Sequence, residues 1–171
     1  AVDFNGHAYI ANRGFGRTAE VMKVLSVGCI DRNNNGTCET SQDYNNDGKI
    51  SQDEMYPIID DNGNGIIDDS EIRDERVVWI KRIGGHNEVA RALTIDKDGN
   101  LWIGMYNTMR FYKMDAATGA ELGKWSIGAR PYGAVVDKNN NLFVAVLGNA
   151  WSRRFNTLTP ASTQTAFYVE R

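Results

Sequence analysis

Residues 95–104 read IDKDGNLWIG and residues 136–145 read VDKNNNLFVA, 41 positions apart. A third copy lies at 2–11, where VDFNGHAYIA is read with one residue deleted in the turn. In each copy a strand runs into an aspartate (Asp3, Asp96, Asp137) and a tight Asn/Gly turn follows. A second strand then opens around an aromatic (Tyr9, Trp102, Phe143). That is the signature of a β-hairpin. A third strand is expected at about 20–25, 109–115 and 152–157, and a fourth at about 77–83, 121–127 and 165–170. Four antiparallel strands in roughly 41 residues make one blade of a β-propeller. An ordinary meander of look-alike hairpins is the competing reading. Three matching copies argue against it, and a meander would leave long exposed edges.

The expected fold is all-β, a partial β-propeller of about three four-stranded blades. Residues 1–92 form the first blade, 93–134 the second and 135–171 the third. In the second copy the last two strands are joined by the short turn Ala116-Ala117-Thr118-Gly119. In the first copy residues 26–76 stand in that place, so they are an insertion in one hairpin and not a domain in series. Hydrophobic residues at 42% can build a core, and 17 glycines against 3 prolines suit a turn-rich chain. No apolar run approaches the roughly 18 residues of a membrane span.

The segments AVDFNGHAYIANRG, LTIDKDGNLWIG and RPYGAVVDKNNNLFVA resemble the NHL and streptogramin-lyase-like β-propellers of secreted bacterial proteins. Such propellers usually close with six or seven blades, and three cannot close a ring. The chain also opens on Ala1 near the end of what should be an innermost strand. The expectation is a fragment of a larger propeller, or a partial ring completed by another chain.

Charge is sharply segregated. Residues 31–75 hold thirteen of the 22 acidic residues against Arg32, Lys49 and Arg73, a net −10, while the remainder carries +7. So dense a negative block either stays unfolded or is neutralised by cations. The basic residues are scattered and form no phosphate-reading stripe, so nucleic acid is not an expected partner.

The acidic block is patterned. Residues 43–54 read DYNNDGKISQDE, which matches the EF-hand calcium loop in full. Asp43, Asn45 and Asp47 stand at positions 1, 3 and 5, Gly48 at 6, the Lys49 carbonyl at 7, Ile50 at 8 and Glu54 at 12. Residues 60–71 match again through Asp60, Asn62, Asn64, Gly65, the Ile66 carbonyl, Ile67, Asp68 and Glu71. A hard dication takes six to eight oxygens at about 2.3–2.6 Å, and alternate residues of a tight loop can all turn inward to supply them. A polar, solvated loop of Asx turns is the alternative. Residues 31–42 are a weaker copy: Asp31, Asn33, Asn35, Gly36 and the Thr37 carbonyl fit, but Gln42 replaces the closing glutamate. A third ion there would draw on Asp43 or a carboxylate from a neighbouring loop. Two calcium ions are expected, and a third at 31–42 stays open.

Only Met55-Tyr56-Pro57-Ile58-Ile59 separates the two full loops, and Pro57 opposes a helix. Paired EF-hands need two helices in that gap, so a calmodulin-type switch is not expected. The array looks like the calcium loops of thrombospondin type 3 or dockerin segments, which implies that ions replace a hydrophobic core. Cys29 and Cys38 are nine residues apart, and Cys38 falls at position 8 of the weakest loop. Paired, they would cinch it and fit an oxidising compartment; a free pair is the other option.

No motif demands an enzyme. The only histidines are His7, in a hairpin turn, and His86, in the crossover between the first and second blades. In streptogramin-lyase-like propellers crossover loops contribute to the ligand-binding face, and a histidine acts there with a divalent metal. The resemblance therefore makes His86 and Glu88 the sole catalytic candidates, against an exposed loop histidine as the plainer account. Asn12, Arg13, Asn107, Arg110, Arg130 and Tyr132 could line a polar face at strand ends. Trp79, Trp102, Trp125, Phe143 and Phe167 read as blade packing and not as a sugar platform.

The function expected is a calcium-stabilised module, secreted, extracellular or periplasmic, with a binding or structural role. Its partners would be the missing blades or another chain, and a glycan or cell-surface protein. The alternative is a metal-dependent lyase or hydrolase on a propeller scaffold.

Overall fold

The computed structural model describes residues 1–148 and 151–168. Among the described residues eleven strands form three antiparallel sheets in chain order. The first holds β1 (Ala8–Ala11), β2 (Ala19–Val24) and β3 (Val77–Ile83). The second holds β4 (Ala90–Ile95), β5 (Leu101–Met105), β6 (Arg110–Met114) and β7 (Glu121–Ser126). The third holds β8 (Pro131–Val136), β9 (Asn141–Val146), β10 (Trp151–Asn156) and β11 (Thr165–Tyr168). The chain is thus an all-β partial propeller, and residues 169–170 of the last expected strand lie outside the described residues. In the first sheet Val2 bridges Ala8, as Ile95 pairs with Leu101 and Val136 with Leu142 in the others. The first sheet therefore has a single bridge at the place where the other two have an innermost strand.

The hairpin turns show why the repeat reads as it does. Each leading aspartate accepts backbone N–H groups two and four positions on. These come from Asn5 and His7 to Asp3, Asp98 and Asn100 to Asp96, and Asn139 and Asn141 to Asp137. An Asx turn of this kind lets one carboxylate close a turn locally. The aromatic six positions on completes the unit in two copies. The Tyr9 hydroxyl donates to Asp3 at 3.0 Å and the Trp102 indole N–H to Asp96 at 2.9 Å. Phe143 has no donor; in that copy Asn141 Nδ2 reaches Asp137 at 3.0 Å, closer than the equivalent Asn100 Nδ2 comes to Asp96 at 3.3 and 3.4 Å. The six-residue spacing in the first copy corrects the reading of a deletion there: Asp3 to Tyr9 aligns with Asp96 to Trp102 without a gap.

Two cores lie between the sheets, and β5 serves both because successive strand side chains point to opposite faces. Leu101, Ile103 and Met105 pack with Tyr9, Val21 and Trp79 of the first sheet. Trp102 packs with Leu142 and Phe155 of the third. Each such fully buried side chain contributes about 1.5–3 kcal/mol. Asp96 is fully buried within this packing and is offset by Lys113 Nζ at 3.4 Å. The far side of the third sheet is open: Val135 is 62% exposed and Phe167 37%.

Candidate metal centre

Residues 25–76 leave the first sheet between β2 and β3, at the end that carries the hairpin turns. Leu25 N–H donates to the Arg76 carbonyl, and Ser26 N–H reaches His7 Nδ1 at 3.3 Å. Beyond that stem the segment has almost no regular structure. Its helical content is one 3₁₀ turn at Gln52–Glu54 and another at Asp69–Glu71. No α-helix flanks either loop, which removes the scaffold of a helix-opening switch. A small apolar cluster of Ile72, Val77 and Ile80, with Ile58 and Ile67 against it, seats the insertion on the outer strand.

The loops repeat one geometry. Asp43 accepts the N–H groups of Asp47 and Gly48, and Asn45 accepts Asp47 N–H. Asp47 in turn accepts Lys49 N–H. The third loop matches through Gly65 N–H on Asp60, Asn64 N–H on Asn62 and Ile66 N–H on Asn64. The first matches through Asn35 and Gly36 N–H on Asp31, Asn35 N–H on Asn33 and Thr37 N–H on Asn35. At position 6 the bend needs a left-handed backbone: φ is 77° at Gly36, 84° at Gly48 and 77° at Gly65. Glycine adopts it without steric cost.

The closing glutamates are buried. Glu54 Oε1 accepts Tyr44 N–H at 2.9 Å, and its Oε2 accepts Ser51 N–H at 2.9 Å and Ser51 Oγ at 2.7 Å. The Ser51 bonds, the largest influence, hold its carboxyl below the usual range. Glu71 accepts Asp61 and Asp68 N–H at 2.8 Å each. Asp74 takes Thr40 Oγ1 at 2.7 Å and Ser41 N–H at 2.9 Å. Burial pushes its carboxyl up, but these bonds outweigh that and leave it low. Glu75 is bound by N–H groups of the first loop. That residue lay outside every motif, and no local spacing points to it.

The donor set suits a hard dication. Of the residues between Ser26 and Arg76, the buried ones are Thr40, Glu54, Glu71, Ile72, Asp74 and Glu75. Four are carboxylates, and among the described residues none of the four has a lysine, arginine or histidine within salt-bridge distance. Asp60 Oδ1 is buried with no hydrogen-bond partner at all. Groups of this kind are stable only when paired, fully hydrogen-bonded or coordinated to a metal. Cys29 and Cys38 form a disulfide beside the first loop, with Cα atoms 5.9 Å apart.

The catalytic candidates His86 and Glu88 lie at the opposite end of the sheets, in the crossover from β3 to β4. Glu88 is engaged by Thr108 Oγ1 and Tyr112 OH at 3.1 Å each, which ties the crossover to the β5–β6 hairpin. His86 is exposed, and no hydrogen bond joins it to Glu88. Trp79 and Trp102 are buried as packing residues, while Tyr132 is 46% exposed. Arg91 stacks on Tyr106 and Tyr132 at 5.0 and 4.9 Å.

The sheets place the chain in the β-propeller class. A family profile described as "Two component regulator propeller" matches residues 84–107, the stretch from the crossover through β5. A luciferin-regenerating enzyme is similar in structure, with 12% identity over 98% of this chain and 44% of that one, at a TM-score of 0.53. A protein of unknown function from Bacteroides caccae gives 12% identity over 96% and 43%, also at 0.53. Virginiamycin B lyase from Staphylococcus aureus gives 12% identity over 99% and 54%, at 0.48. No curated protein matches the sequence. The chain spans less than half the length of the first two structures, and likeness of this order shows the fold alone.

Proposed function

We propose that the insertion is a calcium-binding segment and that the chain is a calcium-stabilised propeller module working outside the cytosol. Asp43, Asn45, Asp47, the Lys49 carbonyl and Glu54 would hold one ion. Asp60, Asn62, Asn64, the Ile66 carbonyl and Glu71 would hold another. The observation that carries this reading is the set of four buried carboxylates without cationic partners, in a segment whose only other buried residues are Thr40 and Ile72. Calcium would supply the missing positive charge and so fold the insertion.

The role is structural or binding, toward another protein or a glycan. The apolar hollow of about 420 Å³ on the open flank, lined by Val135, Phe143 and Phe167, supports continuation of the ring by further blades or another chain. Asn-rich loops carry less charge than all-aspartate ones and should bind weakly, in the range filled by extracellular calcium. The disulfide fits the same compartment, secreted or periplasmic. With Glu88 engaged in structure and His86 unsupported, no observation favours the lyase or hydrolase alternative.

Calorimetric titration of chelator-treated protein with calcium and with magnesium tests this. Heat of binding for calcium at two or more sites per chain is expected, with ordering of residues 31–75. A chain that binds no calcium at millimolar concentration would sink the proposal.

A further inference from the structure

We infer that Glu75 is the closing carboxylate of the loop at 31–42, so that the insertion holds three cations and the third is fastened to the root of β3. This rests on the calcium reading above and extends it to a residue outside the loop motifs.

In the two full loops the glutamate at position 12 takes the N–H of position 2 on one oxygen and of position 9 on the other. The donors are Tyr44 and Ser51 for Glu54, and Asp61 and Asp68 for Glu71. In the loop at 31–42, positions 2 and 9 are Arg32 and Glu39. Arg32 N–H donates to Glu75 Oε1 at 2.8 Å and Glu39 N–H to Glu75 Oε2 at 2.9 Å. The loop's own twelfth residue, Gln42, is exposed. Glu75 thus stands where Glu54 and Glu71 stand, but it arrives from 36 positions beyond Glu39.

Its charge makes a second and separate case. Glu75 is 1% exposed, less than Glu54, Glu71 or Asp74. No basic nitrogen among the described residues lies within 4.0 Å of its carboxylate. Arg32, which could have paired with it, places Nη2 on the Val77 and Val78 carbonyls at 2.7 and 3.0 Å. One amide bond on each oxygen leaves lone pairs free in a water-poor place, where an uncompensated charge is costly. A cation shared with Asp31, Asn33, Asn35 and the Thr37 carbonyl supplies the balance. The sulfurs of Cys29 and Cys38 lie within 4.8 Å of a Glu75 carboxylate oxygen, so the disulfide walls this side of the site.

The route of the chain gives the third ion its own job. Glu75 N–H donates to the Glu39 carbonyl, Ile30 N–H donates to the Glu75 carbonyl, and β3 starts at Val77. The other two loops are closed by their own residues and are locally self-contained. Of the three ions, only the third would tie its loop to the strand on which the insertion sits, alongside the bonds from Arg32 to the Val77 and Val78 carbonyls.

Native mass spectrometry of the whole chain in millimolar calcium counts the ions. Three are expected on the native chain and two on E75Q, and Q42E added to E75Q does not restore the third. E75D keeps the charge but shortens the reach, and should weaken one site on the order of tenfold or more while sparing the others. That variant decides the matter if E75Q does not fold. A native chain with no ion overturns the calcium reading as a whole. Two ions on the native chain, three on E75Q, a third restored by Q42E, or unchanged affinities in E75D would overturn the role of Glu75 alone.

Discussion

The strand repeats and the insertion keep their chains folded with opposite materials. In the second sheet β5 is buried at every position, and its side chains feed two carbon cores. Its one fully buried acid, Asp96, is offset by Lys113 and by a tryptophan N–H. In the insertion the buried groups are mostly carboxylates, and amide N–H groups stand where lysine or arginine would be expected. The first region carries its stability in apolar contact, which depends little on solutes. If the second is the calcium segment proposed above, its stability should follow the concentration of a cation.

Removing the cation should therefore produce the largest effect and the cleanest separation. An ion at a hundredfold excess over its dissociation constant adds about 2.7 kcal/mol, so two or more sites add about 5 kcal/mol or more. In EGTA, amide hydrogen exchange over residues 31–75 should lose its protection while β4 to β9 keep theirs. Uniform loss across both regions would mean that the sheets also depend on the ion, and the contrast would fail.

Trp102→Ala is the reciprocal experiment. Trp102 is fully buried among Trp125, Phe155 and Leu142 and donates to Asp96. Its removal should cost about 3–5 kcal/mol. The cost, read from urea unfolding, should be the same in calcium and in EGTA. A cost that changes with calcium would show the two regions to be energetically joined.

Where interactions are local, the sequence was legible. A turn closed by an aspartate through N–H groups two and four positions on announces itself in ten residues, and the expected strands appear within a residue of β2, β3, β6, β7 and β10. The spacing of Asp43, Asn45, Asp47 and Glu54 is legible for the same reason. Glu75 was not, because its partners Arg32 and Glu39 are 43 and 36 positions away. Nor was the use of Glu88, which depends on a hairpin 20 and 24 residues on placing Thr108 and Tyr112 beside it.

Opening the disulfide should have a smaller effect, confined to one side of the comparison. Closing a loop of about ten residues restricts the unfolded chain by about 2–3 kcal/mol. Cys38→Ser should therefore raise proteolytic cutting between residues 29 and 42 and leave the urea midpoint of the sheets in EGTA unchanged. A shifted midpoint would place the bridge in the stability of the propeller itself.

Acid offers the smallest and most specific probe of the repeats. The Asn141 side-chain and backbone N–H groups hold the Asp137 carboxyl below its usual range, and Thr118 does the same for Asp115. A carboxyl whose folded pKa lies below its unfolded one adds stability above the unfolded value, about 4. It loses that contribution as pH falls through the folded value. D137N should thus be less stable than the native chain at pH 7, and the gap should hold to about pH 5 and close below about pH 4. Measured in EGTA, so that calcium release does not intrude, the closing gap assigns the effect to charge. A gap that stays open at pH 2 would assign it to the shape of the turn, and the repeats would then owe nothing to the electrostatics that govern the insertion.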